Sequence, residues 1–235
     1  DDLTASIRMC TPAHGVWESR PLPGSGAGPS PDRLALGSEG AFGIITEGWL
    51  RVRPRPRWRA SATVTFKAFE AAVAATRAVA QAGLAPSSCR LLDAREAALN
   101  MVALDGSSVL LLGFESADHP VQAWMDRAVE IAKDHGGALP RPPTFKEAGA
   151  KGRDTQAGAW RQAFLDGPYL QSTLLSLGVI ADTFETACTW AAFPTLHAAV
   201  IRAVRGAMKA HCGRGRISCR FTHVYPDGPA PYYTW

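Results

Sequence analysis

From Trp58 to the end of the chain, stretches with a two-residue apolar period alternate with stretches of helical period. Apolar and polar side chains alternate along Ala60–Phe66, a pattern typical of a half-buried strand. Apolar residues of Phe69–Ala80 recur at helical spacing, and Gly83 followed by Pro86 is a stop signal for that helix. This order restricts the chain to folds in which helices cover a sheet.

The same criteria predict the remaining elements of this part. They predict strands at 89–92, 108–115, 178–186, 217–225 and 232–235, helices at 120–135, 155–177 and 194–211, and a loop at 140–152. Strand–helix–strand order therefore occurs around 58–93 and again around 178–225. We interpret the fold class as α+β, with a mixed or antiparallel sheet covered by helices and built from ferredoxin-like β-α-β units.

Residues 1–57 differ in pattern, so we assign 1–57 and 58–235 to two domains. Alternation from Leu3 to Met9 predicts a strand, and a second strand is expected at 44–52. Between them, residues 11–36 are rich in Pro, Gly and Ser and show no helical or strand period. A loop of that length is usually functional or tightly packed.

Charge excludes one class of partner. The net charge is +4, and five arginines are concentrated in RVRPRPRWR at 51–59, so the remainder of the chain is close to neutral. Nucleic-acid-binding domains usually carry positive charge on several elements. Pro54 and Pro56 prevent regular strand pairing, which favours an exposed strand that runs into an extended linker. We therefore expect no nucleic-acid partner.

Cysteine and histidine spacing argues against disulfide and metal frameworks. The five cysteines form no CxxC pair and the six histidines form no HxxxH pair, so we expect no metal and a reducing, cytoplasmic location. The longest apolar runs are too short to span a bilayer, and no secretory signal is visible. Because the chain lacks an initiator Met and ends within a strand-like pattern, we interpret it as a piece of a longer polypeptide.

A glycine-punctuated segment precedes the strand at 44–52. Gly37, Gly40 and Gly43 are spaced by three, which matches neither GxGxxG nor a Walker loop. Glycines let the backbone approach a flat or charged ligand closely, and backbone amides there could donate to it. A strained turn without a ligand explains the same spacing, so the spacing alone leaves both interpretations open.

Longer stretches add a resemblance. LGSEGAFGIITEGWLRVRP, at 36–54, resembles the GSEGTLGVITE segment of FAD-dependent oxidoreductases of the vanillyl-alcohol oxidase / p-cresol methylhydroxylase family, and the alkyldihydroxyacetonephosphate synthases in particular. Three further segments resemble that group in the same order and with similar spacing: SSCRLLD at 87–93, GVIADTFETACTW at 178–190 and CRFTHVYPDGPAPYY at 219–233.

The resemblance implies that residues 1–57 end a FAD-binding domain and that 58–235 form most of a cap domain on the substrate side. It implies FAD held non-covalently. The implied cofactor-contacting residues form one segment: Glu39, Gly40, Ala41, Phe42, Gly43, Ile44 and Ile45. Ala41 and Phe42 replace the commoner Thr-Leu, which keeps backbone contacts but changes the local surface.

Three residues of the cap domain are also implicated. Tyr232 aligns with the catalytic tyrosine of the synthases, although the residues alone favour an amphipathic residue on a terminal strand without a role. Arg90 aligns with an arginine that supports the flavin site, with a local ion pair to Asp93 as the structural alternative. Gln171 stands where the synthases have an anion-binding arginine, and an amide cannot form the bidentate fork that grips an anion.

The implied activity is exchange of an acyl for an alkyl group at the flavin N5, on a small-molecule or lipid-like substrate. A membrane-surface encounter without a spanning helix and a homodimer are further expectations. Two alternatives stay open: a FAD-dependent D-2-hydroxyacid dehydrogenase of the lactate or glycolate type, and a non-catalytic family member. The fragment alone is expected to be inactive.

Overall fold

The computed structural model describes residues 3–20, 29–148 and 172–235. The chain divides into two compact units, Asp1–Arg55 and Pro56–Trp235. Among the described residues, none of the helices is long and apolar enough to cross a membrane.

The first unit is built on a three-stranded antiparallel sheet in the order β2-β1-β3. Its elements are β1 (Thr4–Thr11), β2 (Gly15–Glu18), α1 (Pro31–Ala35) and β3 (Ile44–Leu50). Ile7 and Met9 on β1 pack with Ala35 of α1, and this small cluster is the buried core of the unit. The alternation of β1 thus gives one face to the core, as the sequence predicts.

Two elements lie inside the stretch 11–36, which the sequence predicts to be irregular throughout. β2 forms a hairpin with β1, in which Thr11 pairs with Gly15, and Arg8 of β1 forms an ion pair with Glu18 of β2. α1 begins with Pro at its first turn and is only five residues long. Both elements are too short to show a period, so tertiary pairing defines them. Residues 21–28 lie outside the described part.

The second unit contains a seven-stranded sheet and four helices that are described from end to end. In chain order its elements are β4 (Trp58–Phe66), α2 (Phe69–Gln81), β5 (Ser88–Leu92), α3 (Ala94–Leu99), β6 (Ser108–Ser116), α4 (Gln122–Asp134), β7 (Thr144–Glu147), β8 (Thr183–Glu185), α5 (Phe193–Cys212), β9 (Ser218–Val224) and β10 (Pro229–Thr234). Residues 172–176 are also helical.

The strand order is β7-β4-β6-β5-β9-β10-β8, and each of these pairings is antiparallel. The part β4-α2-β5-β6-α4-β7, with spatial order β7-β4-β6-β5, is the ferredoxin-like arrangement of two β-α-β units. β9, β10 and β8 extend that sheet beyond β5. The α+β prediction, including the antiparallel sheet covered by helices, is confirmed.

The main core lies between the sheet and helices α2, α4 and α5. Val64 and Phe66 of β4 are fully buried there, while Thr65 between them is only partly buried. Phe221 of β9 lies at the centre of an aromatic cluster, with its ring 4.8 Å from that of Phe193. Burial of these rings supplies much of the hydrophobic stabilisation of the unit.

Four rings form a continuous stack that joins β8, β10 and α5. Phe184 stacks on Tyr233 with centroids 5.0 Å apart, Tyr233 on His197 at 5.8 Å, and His197 on Phe193 at 5.2 Å. His197 Nδ1 also lies 3.2 Å from the Tyr233 hydroxyl. The stack fixes the final strand of the chain against the last helix.

A β-bulge interrupts the hairpin of β9 and β10. Ala230 pairs with His223 but Pro231 pairs with Phe221, so Thr222 is the extra residue on β9. The bulge reverses the alternation of β9, and for that reason Phe221 and Val224 both contact the main core although they are three residues apart.

Three sequence predictions for this unit need correction. The predicted loop 140–152 contains β7, which pairs along the edge of β4. Helix α3 occupies six residues for which no element was predicted, because it is too short to show a helical period. The predicted strand 178–186 is reduced to Thr183–Glu185, the part that pairs with β10. Most of the predicted helix 155–177 lies outside the described residues.

The position of His197 predicts a pH-dependent stability. Burial lowers the pKa of His197 below its ordinary 6.5, Glu70 opposes this shift and Arg205 adds to it. Between the pKa of His197 in the folded chain and its pKa in the unfolded chain, the unfolded chain therefore binds more protons. The free energy of unfolding is consequently highest above pH 6.5 and decreases as the pH falls below that value. Denaturant unfolding of the full-length protein between about pH 7.5 and about pH 5 measures this slope.

A His197→Phe variant provides the control, because it keeps an aromatic ring in the stack but cannot take up a proton. We expect this variant to lose part of the pH slope. An identical slope in the wild type and the variant would contradict the assignment to His197.

Candidate functional site

The side of the seven-stranded sheet opposite α2, α4 and α5, here named the open face, is polar along β4, whereas α3 covers a small apolar cluster of Leu92, Ala97 and Val109 on the same side. Because β4 alternates, the side chains of Arg59, Ser61, Thr63 and Thr65 lie on this side. A broad cavity of about 790 Å³ lies on it, lined by residues of β4 to β7. Its concave shape and its lining of both polar and apolar side chains suit a small molecule that has polar and apolar parts.

Five cationic and three acidic side chains line the cavity, together with apolar ones. Arg57 lies 2.6 Å from Glu147, and Arg59 lies 3.2 Å from Glu115. Arg90 lines the same cavity, and burial together with the nearby Arg220 lowers the pKa of Arg90 below its ordinary value. Arg90 was predicted to support the flavin site, and the fold puts it on the open face of β5.

Tyr232 lies on the open face of β10, between β9 and β8. Its cross-strand partners are Arg220 on β9 and Glu185 on β8. The Tyr232 hydroxyl donates a hydrogen bond of 2.7 Å to Thr183 Oγ1. The guanidinium carbon of Arg220 lies 4.0 Å from the centroid of the Tyr232 ring, a cation–π contact. A hydroxyl with one oxygen partner beside a cation can hold or release a proton.

Tyr233, the adjacent tyrosine, lies on the opposite side of the sheet. It is fully buried in the ring stack, and burial raises the pKa of Tyr233 well above its ordinary value of 10.0. The phenol of Tyr233 therefore stays protonated at any physiological pH. The strand alternation separates an accessible tyrosine from a structural one at neighbouring positions.

A buried acidic group supports Arg220 from α3. Glu96 has a relative exposure of 3%, and its carboxylate accepts bonds from Arg220 Nη1 at 2.6 Å and from Ser218 Oγ at 2.7 Å. Asp93 caps α3 with one carboxylate oxygen on Glu96 N at 2.7 Å, and its other oxygen accepts Cys219 N at 2.7 Å. Burial raises the pKa of Asp93, while these amides oppose the shift. Asp93 thereby anchors α3 on β9.

The glycine segment of the first unit is a tight turn with left-handed backbone. Gly37, Gly40 and Gly43 have φ of 81°, 87° and 150°, and Glu39 has φ of 50°. A Cβ on Gly43 would lie 2.3 Å from the Cys10 carbonyl oxygen, whereas nothing lies within 4 Å of the position of a Cβ on Gly40. Glycine at position 43 is therefore required by the pairing of β1 with β3, independently of any ligand.

The segment also leaves an apolar surface exposed. Relative exposures are 50% for Phe42, 72% for Ile44 and 42% for Ile45, and none of the seven residues of β3 is buried. Exposed apolar surface of this kind usually marks a binding region. Exposed apolar side chains beside a glycine turn suit contact with an aromatic cofactor, so the residues present are compatible with the FAD contact predicted for Glu39–Ile45.

Substitution at the two glycines separates the structural from the binding interpretation. We expect Gly43→Ala to destabilise the first unit by about 1–3 kcal/mol, because the added Cβ meets the Cys10 carbonyl. Gly40→Ala meets no neighbour and should cost only the left-handed backbone strain, about 1–2 kcal/mol. Thermal unfolding and FAD titration of the two full-length variants measure both effects. Unchanged stability of Gly43→Ala with weaker FAD binding would contradict the structural interpretation.

Some residues of this site were not identified from the sequence. Arg220, Glu96 and Thr183 were not singled out, and the only sequence signal was the Asp-x-x-Glu pattern at 93–96, which is a helix-start signature. Gln171 lies outside the described residues. Among the described residues, no group of three or more His, Cys, Asp or Glu side chains is arranged to hold a metal ion.

Two solved structures share the fold of this chain. One is an alkyldihydroxyacetonephosphate synthase, with a TM-score of 0.75 and 23% identity over 99% of this chain and 44% of that structure. The other is p-cresol methylhydroxylase with substrate bound, with a TM-score of 0.61 and 14% identity over 99% of this chain and 50% of that structure. The similarity extends over both units.

Sequence comparison gives the same group. Alkyldihydroxyacetonephosphate synthase of Trypanosoma brucei brucei is 25% identical over 249 residues, which cover 100% of this chain and 40% of the relative. The chain thus spans about two fifths of the length of that curated relative. The family model described as "FAD linked oxidases, C-terminal domain" matches residues 55–235. Since this match includes most of the chain, the protein belongs to the FAD-linked oxidase family.

Proposed function

We propose that the full-length protein is a non-covalent FAD enzyme that exchanges an acyl for an alkyl group, as an alkyldihydroxyacetonephosphate synthase does. The observation that carries the proposal is Tyr232, whose hydroxyl bonds Thr183 on the open face while Arg220 lies over its ring. The relative from Trypanosoma brucei brucei, which bears the synthase name and aligns with the whole chain, supports this choice.

Within this proposal, the first unit belongs to the FAD-binding domain and 58–235 to the cap domain. The turn and strand at Glu39–Ile45 would hold one side of FAD, through open backbone near Gly40 and the exposed side chains of Ile44 and Ile45. FAD, when bound, supplies an electron-poor ring that accepts electrons from a substrate carbon.

Tyr232 would be the catalytic acid/base of the reaction. As a phenolate, Tyr232 would take the proton from C1 of the acylated substrate and become a neutral phenol. Thr183 Oγ1, 2.7 Å from the Tyr232 oxygen, would keep that oxygen oriented. Arg220 over the ring would favour the phenolate form of Tyr232, which is the form that acts as the base. Tyr233 is excluded from this role because it is fully buried.

The cavity on the open face would bind the polar part of the substrate. Arg90 lines it, together with Arg59 and Lys146. We propose that these cations hold an anionic head group, a task that the neutral Gln171 cannot perform. We further propose that the substrate carries long acyl chains and is met at a lipid surface, that the protein forms a homodimer, and that it is cytoplasmic.

One experiment tests the function. Full-length protein is purified, its flavin absorbance is recorded, and it is incubated with acyl-dihydroxyacetone phosphate and a long-chain alcohol. Release of fatty acid with formation of the alkyl product, without net flavin reduction, is the expected result. Anaerobic bleaching of the flavin by a D-2-hydroxy acid would instead identify a dehydrogenase. A colourless protein that takes up no FAD would identify a non-catalytic member.

A further inference from the structure

The Glu96 carboxylate and the Arg220 guanidinium form a buried ion pair next to Tyr232. Their exposed side-chain fractions are 3% and 17%, in contrast with the more exposed pairs Arg57–Glu147, Arg59–Glu115 and Arg127–Glu130. Arg220 Nη1 donates to Glu96 Oε1 at 2.6 Å while the guanidinium lies over the Tyr232 ring at 4.0 Å. One cation therefore connects an acid of α3 with the accessible tyrosine of β10.

The environment of Glu96 fixes its carboxylate firmly. Ser218 Oγ donates to Oε2 at 2.7 Å, and Asn100 Nδ2 lies 3.3 Å from Oε1. The backbone N–H of Glu96 donates to Asp93, so the start of α3 is anchored as well. A carboxylate held by several donors on a capped helix has one orientation, and that orientation determines where the guanidinium lies.

A purely structural role explains this pair poorly. Taking two charges out of water costs several kcal/mol in general, and apolar residues of similar volume often stabilise a fold equally well. A buried Glu96–Arg220 ion pair is better explained if the position of the Arg220 guanidinium is needed for function. The contact to Tyr232 supplies such a reason, since a guanidinium over a phenol stabilises the negative charge that develops when the phenol releases its proton.

We propose that Glu96 is a positioning residue that holds Arg220 over Tyr232 and thereby sets the pH range in which Tyr232 transfers its proton. The inference rests on the proposed acid/base role of Tyr232. Neither Glu96 nor Arg220 needs to contact substrate or cofactor for this task.

The test uses the full-length holoenzyme with Glu96→Gln, Arg220→Gln and Arg220→Lys. In Glu96→Gln we expect kcat at neutral pH to fall about tenfold while KM changes less than about twofold. The limb of the pH–rate profile that depends on Tyr232 should move to higher pH, because a guanidinium that Glu96 no longer holds leaves the ring and disfavours the phenolate; we expect this effect to exceed the opposite effect of removing the Glu96 charge. Arg220→Gln should do the same, and Arg220→Lys, which keeps the charge, should lie closer to the wild type.

A second readout does not depend on turnover. 3-Fluorotyrosine placed at position 232 reports ionisation of that ring by ¹⁹F NMR, and its titration should move to higher pH in Glu96→Gln and Arg220→Gln. Glu130→Gln is the matched control, since it breaks the exposed ion pair with Arg127 on α4, 2.5 Å in length, and should change neither readout. Thermal unfolding shows whether each variant is folded, and flavin absorbance shows whether it contains FAD.

The outcomes separate the two proposals. If the wild type performs no exchange, the proposed function fails, and the ¹⁹F titrations still decide the role of Glu96. If Glu96→Gln and Arg220→Gln lower stability but leave the pH profile and the ¹⁹F titration unchanged, the pair is only structural and the inference is wrong. If Glu96→Gln does not fold, the pH–rate profiles and ¹⁹F titrations of Arg220→Lys and Arg220→Gln are compared instead. The inference is wrong if these two variants give the same values.

Discussion

Replacing Tyr232 by phenylalanine is expected to lower kcat of the full-length enzyme by about 10²–10⁴-fold, the usual contribution of a general acid/base. The substitution removes the hydroxyl that bonds Thr183 but keeps the aromatic ring beneath Arg220. The fold should therefore survive, and flavin content should not change. Steady-state kinetics of acyl-to-alkyl exchange, combined with flavin absorbance, measure the effect.

The neighbouring Tyr233→Phe variant is the matched control, because it removes the same hydroxyl one residue further along the strand. That hydroxyl contacts His197 within the core and does not reach the open face. We expect a loss of stability of about 1–2 kcal/mol with nearly normal kcat. Wild-type turnover in Tyr232→Phe, or a larger kinetic loss in Tyr233→Phe, would overturn the assignment of the catalytic tyrosine.

Phe221→Ala is expected to destabilise the second unit by about 3–5 kcal/mol, the range measured for large-to-small changes of buried aromatic residues. Phe221 is fully buried, and its ring lies 4.8 Å from Phe193 and 6.1 Å from both Phe69 and Trp190. Removing it opens a cavity where β9, α2 and α5 meet. Since whole domains are stable by only about 5–15 kcal/mol, a sharp fall in the yield of folded protein should accompany the change.

Phe145→Ala on β7 is the corresponding control, because Phe145 belongs to the same sheet but is 41% exposed. This variant should lose less than about 1.5 kcal/mol, since less apolar surface returns to water. Denaturant unfolding of both variants compares them directly. Equal losses at the two positions would show that the aromatic cluster around Phe221 does not stabilise the unit as described.

The longer helices of this fold could be predicted from the sequence because their signals are local. Phe69–Gln81, Gln122–Asp134 and Phe193–Cys212 each carry an amphipathic period over three or more turns and end near glycine. Thr144–Glu147 could not be predicted, because a four-residue edge strand after a proline-rich stretch is defined only by pairing with β4. Such short elements depend on neighbours that are distant in sequence.

The candidate site divides in the same way. Tyr232 and Arg90 were identified because they lie in segments that resemble a known family. Glu96 and Arg220 are 124 residues apart, and their contact arises from the position of α3 over β9, which no local pattern encodes. Asp93 could be expected to start a helix, but its second bond, to the backbone of Cys219, required the sheet order.

The bulge at Thr222 has a consequence for how this hairpin can change during evolution. Tyr232 and Tyr233 point to opposite sides of the sheet, so gaining or losing one residue between the 225–228 turn and Tyr232 would present the wrong tyrosine to the open face. The hairpin therefore keeps Tyr232 on the open face only if its length changes by two residues, or by one residue together with a compensating bulge. Among descendants of the same ancestor, an odd length difference here without a bulge would mark proteins in which the accessible tyrosine has been lost.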